Sequence, residues 1–81
     1  MWEPRALDAL EQFAEYMRAA ARDALDAMER MASTGFNYGR LTRKGVPWYL
    51  PTPKLGLFYL DDGRTLIVVD VVDARRLRDL P

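Results

Sequence analysis

The sequence predicts one α+β domain in which a helical N-terminal half packs on a three-stranded antiparallel sheet. Two observations predict this fold: a helical repeat of apolar residues within residues 1–35, and two apolar runs joined by turn residues within 46–81. The 36–45 stretch between them is rich in glycine and polar residues, which is typical of a loop. A chain of 81 residues fits one small domain, so we assign 1–81 to a single unit with a basic tail.

The N-terminal half carries an apolar residue alternately every three and every four positions, which is the repeat of an amphipathic helix. These positions are Leu7, Leu10, Ala14, Met17, Ala21, Ala24, Met28 and Met31. Pro4 suits the first helical turn, and Gly35 suits a left-handed cap at the end.

Two arrangements of this helical half stay open. One straight helix over residues 4–32 would be about 43 Å long, whereas strands of six to eight residues span about 20–27 Å. The helix therefore either extends beyond the sheet or bends into a helical hairpin near residues 19–21. Because those residues are alanines and the stretch contains no Gly or Pro, the sequence favours one continuous helix.

The C-terminal half predicts three strands. Residues 46–50 form a short edge strand, because Pro47 cannot donate a backbone hydrogen bond. Residues 55–61 and 65–72 form a hairpin, with a type I′ turn at Asp62-Gly63. That turn places Leu60 opposite Thr65.

This register predicts a sheet that is apolar on both faces. We expect one face to meet the helix, and it carries Phe58, Leu60, Ile67, Val69 and Val71. The other face carries Leu55, Leu57, Tyr59, Leu66, Val68, Asp70 and Val72. Because the helix covers one face only, the second face predicts self-association or a partner. The alternative is that the loop folds over it with Phe36, Tyr38 and Leu41.

Composition narrows the chemistry. The chain contains no cysteine and no histidine, which removes disulfides, thiolate zinc sites and the usual general base near neutral pH. We expect no cofactor and no metal site, and Asp61-Asp62 beside Gly63 fits a turn better than a cation site. No apolar run approaches the roughly 20 residues needed to span a membrane, and the acidic N-terminus is unlike a signal peptide. We therefore expect a cytoplasmic protein.

Charge is distributed unevenly along a chain whose formal net charge is +0. Residues 1–35 contain four basic and seven acidic side chains, for a net charge of −3. Residues 36–81 contain eight basic and five acidic side chains, for a net charge of +3. The basic half predicts an acidic partner or a phosphate backbone, although a pI near 6.2 is low for a nucleic-acid-binding protein.

The order of elements along the chain is a helical half, a loop with a Gly-Arg-Leu element at 39–41, a short strand, and a hairpin that ends in a basic cluster. In this order, and in residues 3–10, 39–41, 48–50, 57–62 and 68–76, the chain resembles the RelE/ParE superfamily of bacterial toxins from toxin–antitoxin pairs. Three features differ: only Met1-Trp2 stands where the family has a first strand, apolar residues around Leu57 replace its central arginine, and no tyrosine follows the arginine pair.

The resemblance implies one of two activities. RelE-like members cut messenger RNA on the ribosome without a metal, using arginine, lysine and tyrosine side chains. ParE-like members inhibit DNA gyrase by binding, and an antitoxin wraps and neutralises both kinds. The resemblance makes Arg75, Arg76 and Tyr59 the catalytic candidates, with an arginine stabilising charge on a phosphate.

Four further cations are candidates for binding RNA or a protein partner: Arg40, Arg43, Lys44 and Lys54. Whether the chain is an endoribonuclease stays open at this point. The alternative is a non-enzymatic protein–protein interaction module, or a phage-type inhibitor, on the same scaffold. We also expect a homo-oligomer, formed through the helical seam or an open sheet edge.

Overall fold

The computed structural model describes residues 1–76 and has an α+β fold, as predicted. Two helices come first, α1 (Pro4–Tyr16) and α2 (Arg18–Thr34). Four strands follow, β1 (Arg40–Leu41), β2 (Trp48–Pro51), β3 (Leu55–Asp61) and β4 (Leu66–Asp73), and then a short 3-10 helix, Ala74–Arg76. The strands lie in the order β1-β2-β3-β4, each antiparallel to its neighbour. Residues 77–81 of the predicted basic tail lie outside the described residues.

The helical half is two helices, which agrees with the helical-hairpin alternative and not with the continuous helix that the sequence favours, although the break lies at Met17 and not near residues 19–21. Met17 separates them with φ −133° and ψ 53°, which lies outside the helical region. The helices pack against each other, and α1 also packs on β4 while α2 packs on β3. The break keeps the buried seam over a sheet whose longest strand has eight residues, a span of about 27 Å.

The sheet has four strands and not the three that were predicted. The additional strand β1 lies in the stretch assigned to a loop, where Arg40 pairs with Tyr49 and Leu41 pairs with Trp48. A two-residue strand has no recognisable apolar alternation, so the sequence carries no signal for it. β1 takes the edge position that the prediction gave to the strand containing Pro47.

The predicted hairpin is present, but its register differs. Strand β3 has the predicted bounds, and Leu60 pairs with Ile67 rather than with Thr65. The last pair is Asp61 with Leu66, so residues 62–65 form a four-residue loop instead of a two-residue turn.

Aspartate side chains stabilise this hairpin loop, in agreement with the turn assignment of Asp61-Asp62. The Asp61 carboxylate accepts the Gly63 N–H at 2.8 Å. The Asp62 carboxylate accepts the Arg64 and Thr65 N–H groups at 2.8 and 2.7 Å, and these bonds lower the pKa of Asp62. Such side-chain bonds favour a longer loop over the tight turn.

The face of the sheet that meets the helices is the opposite of the predicted one. The core on the helix side contains Leu55, Leu57, Tyr59, Val68 and Val71, together with Ala6, Leu10, Ala20, Ala21, Ala24, Met28, Met31 and Leu50. Both faces are apolar, so hydrophobicity alone could not choose between them. A register shift at Phe58/Tyr59 then moves Val71 to the face of Val68, because an extra residue in one strand reverses the alternation beyond it.

The second face carries Phe58 and Leu60, which are half-buried and exposed respectively. Tyr49 also lies on this face and is buried. The centroid of its ring is 5.1 Å from that of Phe58 and 5.8 Å from the guanidinium carbon of Arg40. The expected covering residues Phe36, Tyr38 and Leu41 are themselves exposed, so they do not bury this face.

Residues before α1 pair with the outer edge of β4. Trp2 forms a parallel bridge with Val68. The Val68 N–H donates to the Met1 carbonyl at 2.9 Å, and the Glu3 N–H donates to the Val68 carbonyl at 3.0 Å. The two edges of the sheet therefore differ, because residues 1–3 pair with part of the β4 edge.

Candidate functional site

Tyr59, one of the catalytic candidates, lies inside the protein. Its side chain is fully buried, and its hydroxyl donates a hydrogen bond to Oδ1 of Asn37. The sulfur of Met31 lies 3.9 Å from the same hydroxyl. Burial raises the pKa of Tyr59 to about 12. Because the side chain is fully buried, the hydroxyl has no open path to a substrate.

Asn37 extends this contact into a small network. Its amide nitrogen donates to the Asp61 carboxylate at 3.0 Å, and its Oδ1 accepts the Gly39 N–H at 2.9 Å. A Cβ atom at Gly39 would lie 2.9 Å from both the Tyr59 ring and the Tyr49 carbonyl, so only glycine fits here. The network ties the chain entering β1 to the centre of the sheet.

The arginine candidates lie at the end of β4 and are paired with an acid. Arg75 donates to both carboxylate oxygens of Asp73, at 3.0 Å from Nε and 2.9 Å from Nη2. Nε of Arg76 is 4.0 Å from the same carboxylate. The Arg75 hydrogen bonds lower the pKa of Asp73 to about 2, and Asp73 in turn raises the pKa of Arg75.

Lys54 lies beside this arginine pair. Its carbonyl accepts the Ala74 N–H at 2.9 Å, and it has a positive φ of 72° in the turn between β2 and β3. The backbone of Lys54 therefore meets the segment that carries Arg75 and Arg76 at one end of the sheet, and Asp73 offsets part of the charge of the two arginines.

The structure does not bring Tyr59 together with the two arginines. Tyr59 pairs with Val68, whereas Asp73 pairs with Leu55, which lies four residues before Tyr59 on β3. That separation is about 13 Å at 3.3 Å per residue, but groups that share a proton-transfer step must lie within about 3 Å of their target. The three residues do not form a common site in this conformation.

A second group of candidates lies on one edge of the molecule, which we call the edge segment and define as residues 36–46. Four large apolar side chains project from it into solvent: Phe36, Tyr38, Leu41 and Val46, at 64, 53, 52 and 61% exposure. The Phe36 and Tyr38 rings are in contact, with centroids 5.0 Å apart and ring planes tilted by 35°. Such exposed apolar clusters mark interaction sites in soluble proteins.

Cations alternate with these apolar side chains. Arg40, Arg43 and Lys44 are all exposed, and the edge segment contains no acidic residue. Within residues 1–76, none of the three forms an ion pair. The edge segment therefore combines apolar contact area with uncompensated positive charge.

Two grooves flank this aromatic pair. The tip groove has a volume of about 240 Å³ and lies between Phe36, the sulfur-containing side chains of α2 and the hairpin loop. The helix groove has a volume of about 420 Å³ and lies between α2 and the end of β2. Its walls include Asp23 and Asp26 on one side, and Tyr38 and Pro51 on the other.

Among residues 1–76, no three His, Cys, Asp or Glu side chains are placed to hold a metal ion. The same residues include no helix that is long and apolar enough to cross a membrane. Comparison with protein-family models, with curated proteins and with solved structures gave no significant match to this chain.

Sequence reasoning missed Asn37 and Gly39 as organising residues. Asn37 sits in a polar, glycine-containing stretch that resembles any loop. Its partners Tyr59 and Asp61 are more than twenty positions away in the chain, so no local pattern connects them. The Gly-Arg-Leu element at 39–41 was the one available signal, and it came from the family resemblance.

Proposed function

We propose that the protein acts by binding a host macromolecule through its edge segment, as the toxin component of a RelE/ParE-like toxin–antitoxin pair in the cytoplasm. The observation that carries the proposal is the combination in residues 36–46 of four exposed apolar side chains with three unpaired cations. Aromatic residues and arginine are enriched in protein–protein interfaces and supply most of their binding energy. An antitoxin-like protein would neutralise the chain by covering the same surface.

Two features of the fold support the family resemblance. Helices precede an antiparallel sheet, and Trp2 forms a parallel bridge with Val68 just before α1. The family has a strand at this position, so even a single bridge there supports the comparison. Arg75 and Arg76 follow β4, where the family carries its basic cluster.

Binding without cleavage is the better supported mode of action. An endoribonuclease needs an accessible acid or base close to the cations that stabilise the phosphate. The Tyr59 hydroxyl is buried and bonded to Asn37, and Arg75 is bonded to Asp73. Between the two targets that the resemblance implies, a pI near 6.2 favours a protein such as gyrase over ribosome-bound RNA.

The test is induced expression in a bacterial host, with growth, protein synthesis and DNA synthesis followed together. We expect arrest with an early loss of DNA synthesis. The double variant Arg43→Glu/Lys44→Glu should relieve it, because it reverses the charge of the edge segment without touching the core. The double variant Arg75→Ala/Arg76→Ala should still arrest growth.

Other outcomes would change the proposal in defined ways. Rapid loss of translation that depends on Arg75 and Arg76 would replace it with messenger RNA cleavage. Normal growth at good soluble expression would refute an active toxin in that host. It would favour the alternative function, a non-enzymatic interaction module or phage-type inhibitor that uses the same edge segment.

A further inference from the structure

We propose that the occupant of the edge segment in the free protein is a second copy of this chain, joined to the first through β1. This inference goes beyond the proposed host interaction, and it is tested without any host factor. It rests on three features of the same edge: an open strand, exposed apolar side chains, and charges of opposite sign toward the two ends of that strand.

The strand β1 has an unused hydrogen-bonding side. The Thr42 N–H donates to the Pro47 carbonyl at 3.3 Å, so Thr42 faces β2. Backbone groups of alternate residues in an antiparallel strand point to opposite sides. The N–H and carbonyl of Leu41 therefore point away from β2, into solvent.

A two-fold axis at Leu41 satisfies these groups. When two β1 strands run antiparallel, Leu41 can lie opposite Leu41 of the partner subunit, and each N–H donates to the other's carbonyl. A residue that pairs with itself is the mark of an isologous dimer. The exposed side chains of Leu41, Tyr38 and Val46 lie along the same edge and supply apolar contact area.

Charge complementarity selects a second copy rather than an unrelated strand. On one side of Leu41 the chain turns through Arg43 and Lys44, about two to three residues or 7–10 Å away. The helix groove is on the other side of Leu41. Leu41 pairs with Trp48 on β2, and Pro51, which lines the groove, lies three residues beyond Trp48, or about 10 Å along the strand. A two-fold axis places the cations of each copy at the helix groove of the other.

The acids of the helix groove are available for this contact. Asp23 and Asp26 are exposed on α2, and within residues 1–76 neither forms an ion pair. Arg30 also lines the groove, so acidic side chains outnumber the basic one there by two to one. They belong to the half of the chain with net charge −3, and the cations belong to the half with net charge +3. Opposite patches on one edge are self-complementary only in an antiparallel pair of copies.

The test is sedimentation equilibrium of the full chain from about 5 to 200 µM, a range that brackets the affinity of modest interfaces. We expect a mass of twice 9.3 kDa at the upper concentrations, with weaker association at high salt. The variants Arg43→Glu/Lys44→Glu and Asp23→Lys/Asp26→Lys should each raise the dimer dissociation constant by about tenfold or more.

Mixing these two variants in equal amounts gives the decisive measurement. In the mixed dimer both contacts join opposite charges, so association should return to the wild-type level. This recovery also shows that each variant is folded. The control Glu11→Lys/Glu15→Lys makes the same charge change as Asp23→Lys/Asp26→Lys. It lies on α1, away from β1, so this variant should dimerise normally.

Three results would overturn the inference. They are a wild-type monomer across the whole concentration range, dimers that both variants leave intact, and variants that stay monomeric when mixed. None of these measurements includes a host factor, so a failure here leaves the growth experiment unaffected, and a failure there leaves the dimer unaffected.

Discussion

Replacing Tyr59 with phenylalanine tests the network that holds the edge segment in place. The variant removes one buried hydroxyl and its hydrogen bond to Asn37, while the aromatic ring stays in the core. We expect the free energy of unfolding at pH 7 to fall by about 1 kcal/mol. The loss is at the lower end for a buried hydrogen bond because Oδ1 of Asn37 still accepts the Gly39 N–H.

The same variant should change the response to alkaline pH. The folded-state pKa of Tyr59, about 12, lies above its ordinary value of 10.0. The unfolded chain therefore loses the proton first, and the contribution of the neutral phenol is complete below pH 10 and is lost as pH rises toward 12. The free energy of unfolding should fall by about 1.4 kcal/mol per pH unit inside that window. Tyr59→Phe should remove the contribution of Tyr59 to this fall.

The assay is urea unfolding followed by far-ultraviolet circular dichroism at intervals from pH 7 to 12. Burial raises the pKa of Tyr49 as well, so the variant should retain some alkaline loss but less than the wild type. Tyr16→Phe is the matched control, because it removes the same atom from a side chain that is 70% exposed. Equal stability and equal alkaline slopes for Tyr59→Phe and the wild type would refute the buried hydrogen bond.

Two further predictions concern the second face and the arginine pair. Gly56→Ala should lower the free energy of unfolding, measured with urea, by about 2–4 kcal/mol. The reason is that a Cβ at this position would lie 2.5 and 2.7 Å from Cε1 and Cζ of the Tyr49 ring. A loss below about 0.5 kcal/mol would show that this ring does not lie over Gly56. Because the pKa of Asp73 is lowered to about 2, its stabilising contribution should be complete above about pH 4 and be lost as pH falls toward 2. Carboxyl chemical shifts measured by NMR should show Asp73 titrating well below the ordinary aspartate value of 3.8, and in Arg75→Ala its pKa should return toward that value.

Strong local patterns were sufficient for the class of the fold and for most element positions. The alternating seam gives the extent of the helical half, and the apolar run at 55–61 gives the bounds of β3 without error. The break at Met17 has no local signal, because methionine is a good helix former and no Gly or Pro adjoins it. It arises from the requirement that the seam stay in contact with a short sheet, which is a tertiary effect.

The inverted sheet faces have a different cause. Both faces are apolar, so the alternation of residues did not show which of them the helices cover. The side chains of Asp61 and Asp62 bond to three backbone N–H groups after β3 and give a four-residue loop, which moves the partner of Leu60 from Thr65 to Ile67. A shift of two residues keeps each side chain on its own face, so the choice of the covered face, and not the register, determined whether Tyr59 was expected to face solvent or the helices.

The edge segment carries exposed cations together with exposed apolar side chains. Exposed cations on an edge strand have a simpler explanation than recognition, since charged side chains protect open edges against aggregation. Protection alone does not account for the exposed Phe36, Tyr38 and Leu41 beside them, which would promote the aggregation that the charges prevent. The two explanations also differ in the sign of the charge: a protective edge works equally well with glutamate, whereas a recognition edge does not. Arg43→Glu/Lys44→Glu therefore distinguishes them, because a soluble variant that keeps binding would leave protection as the role of these cations.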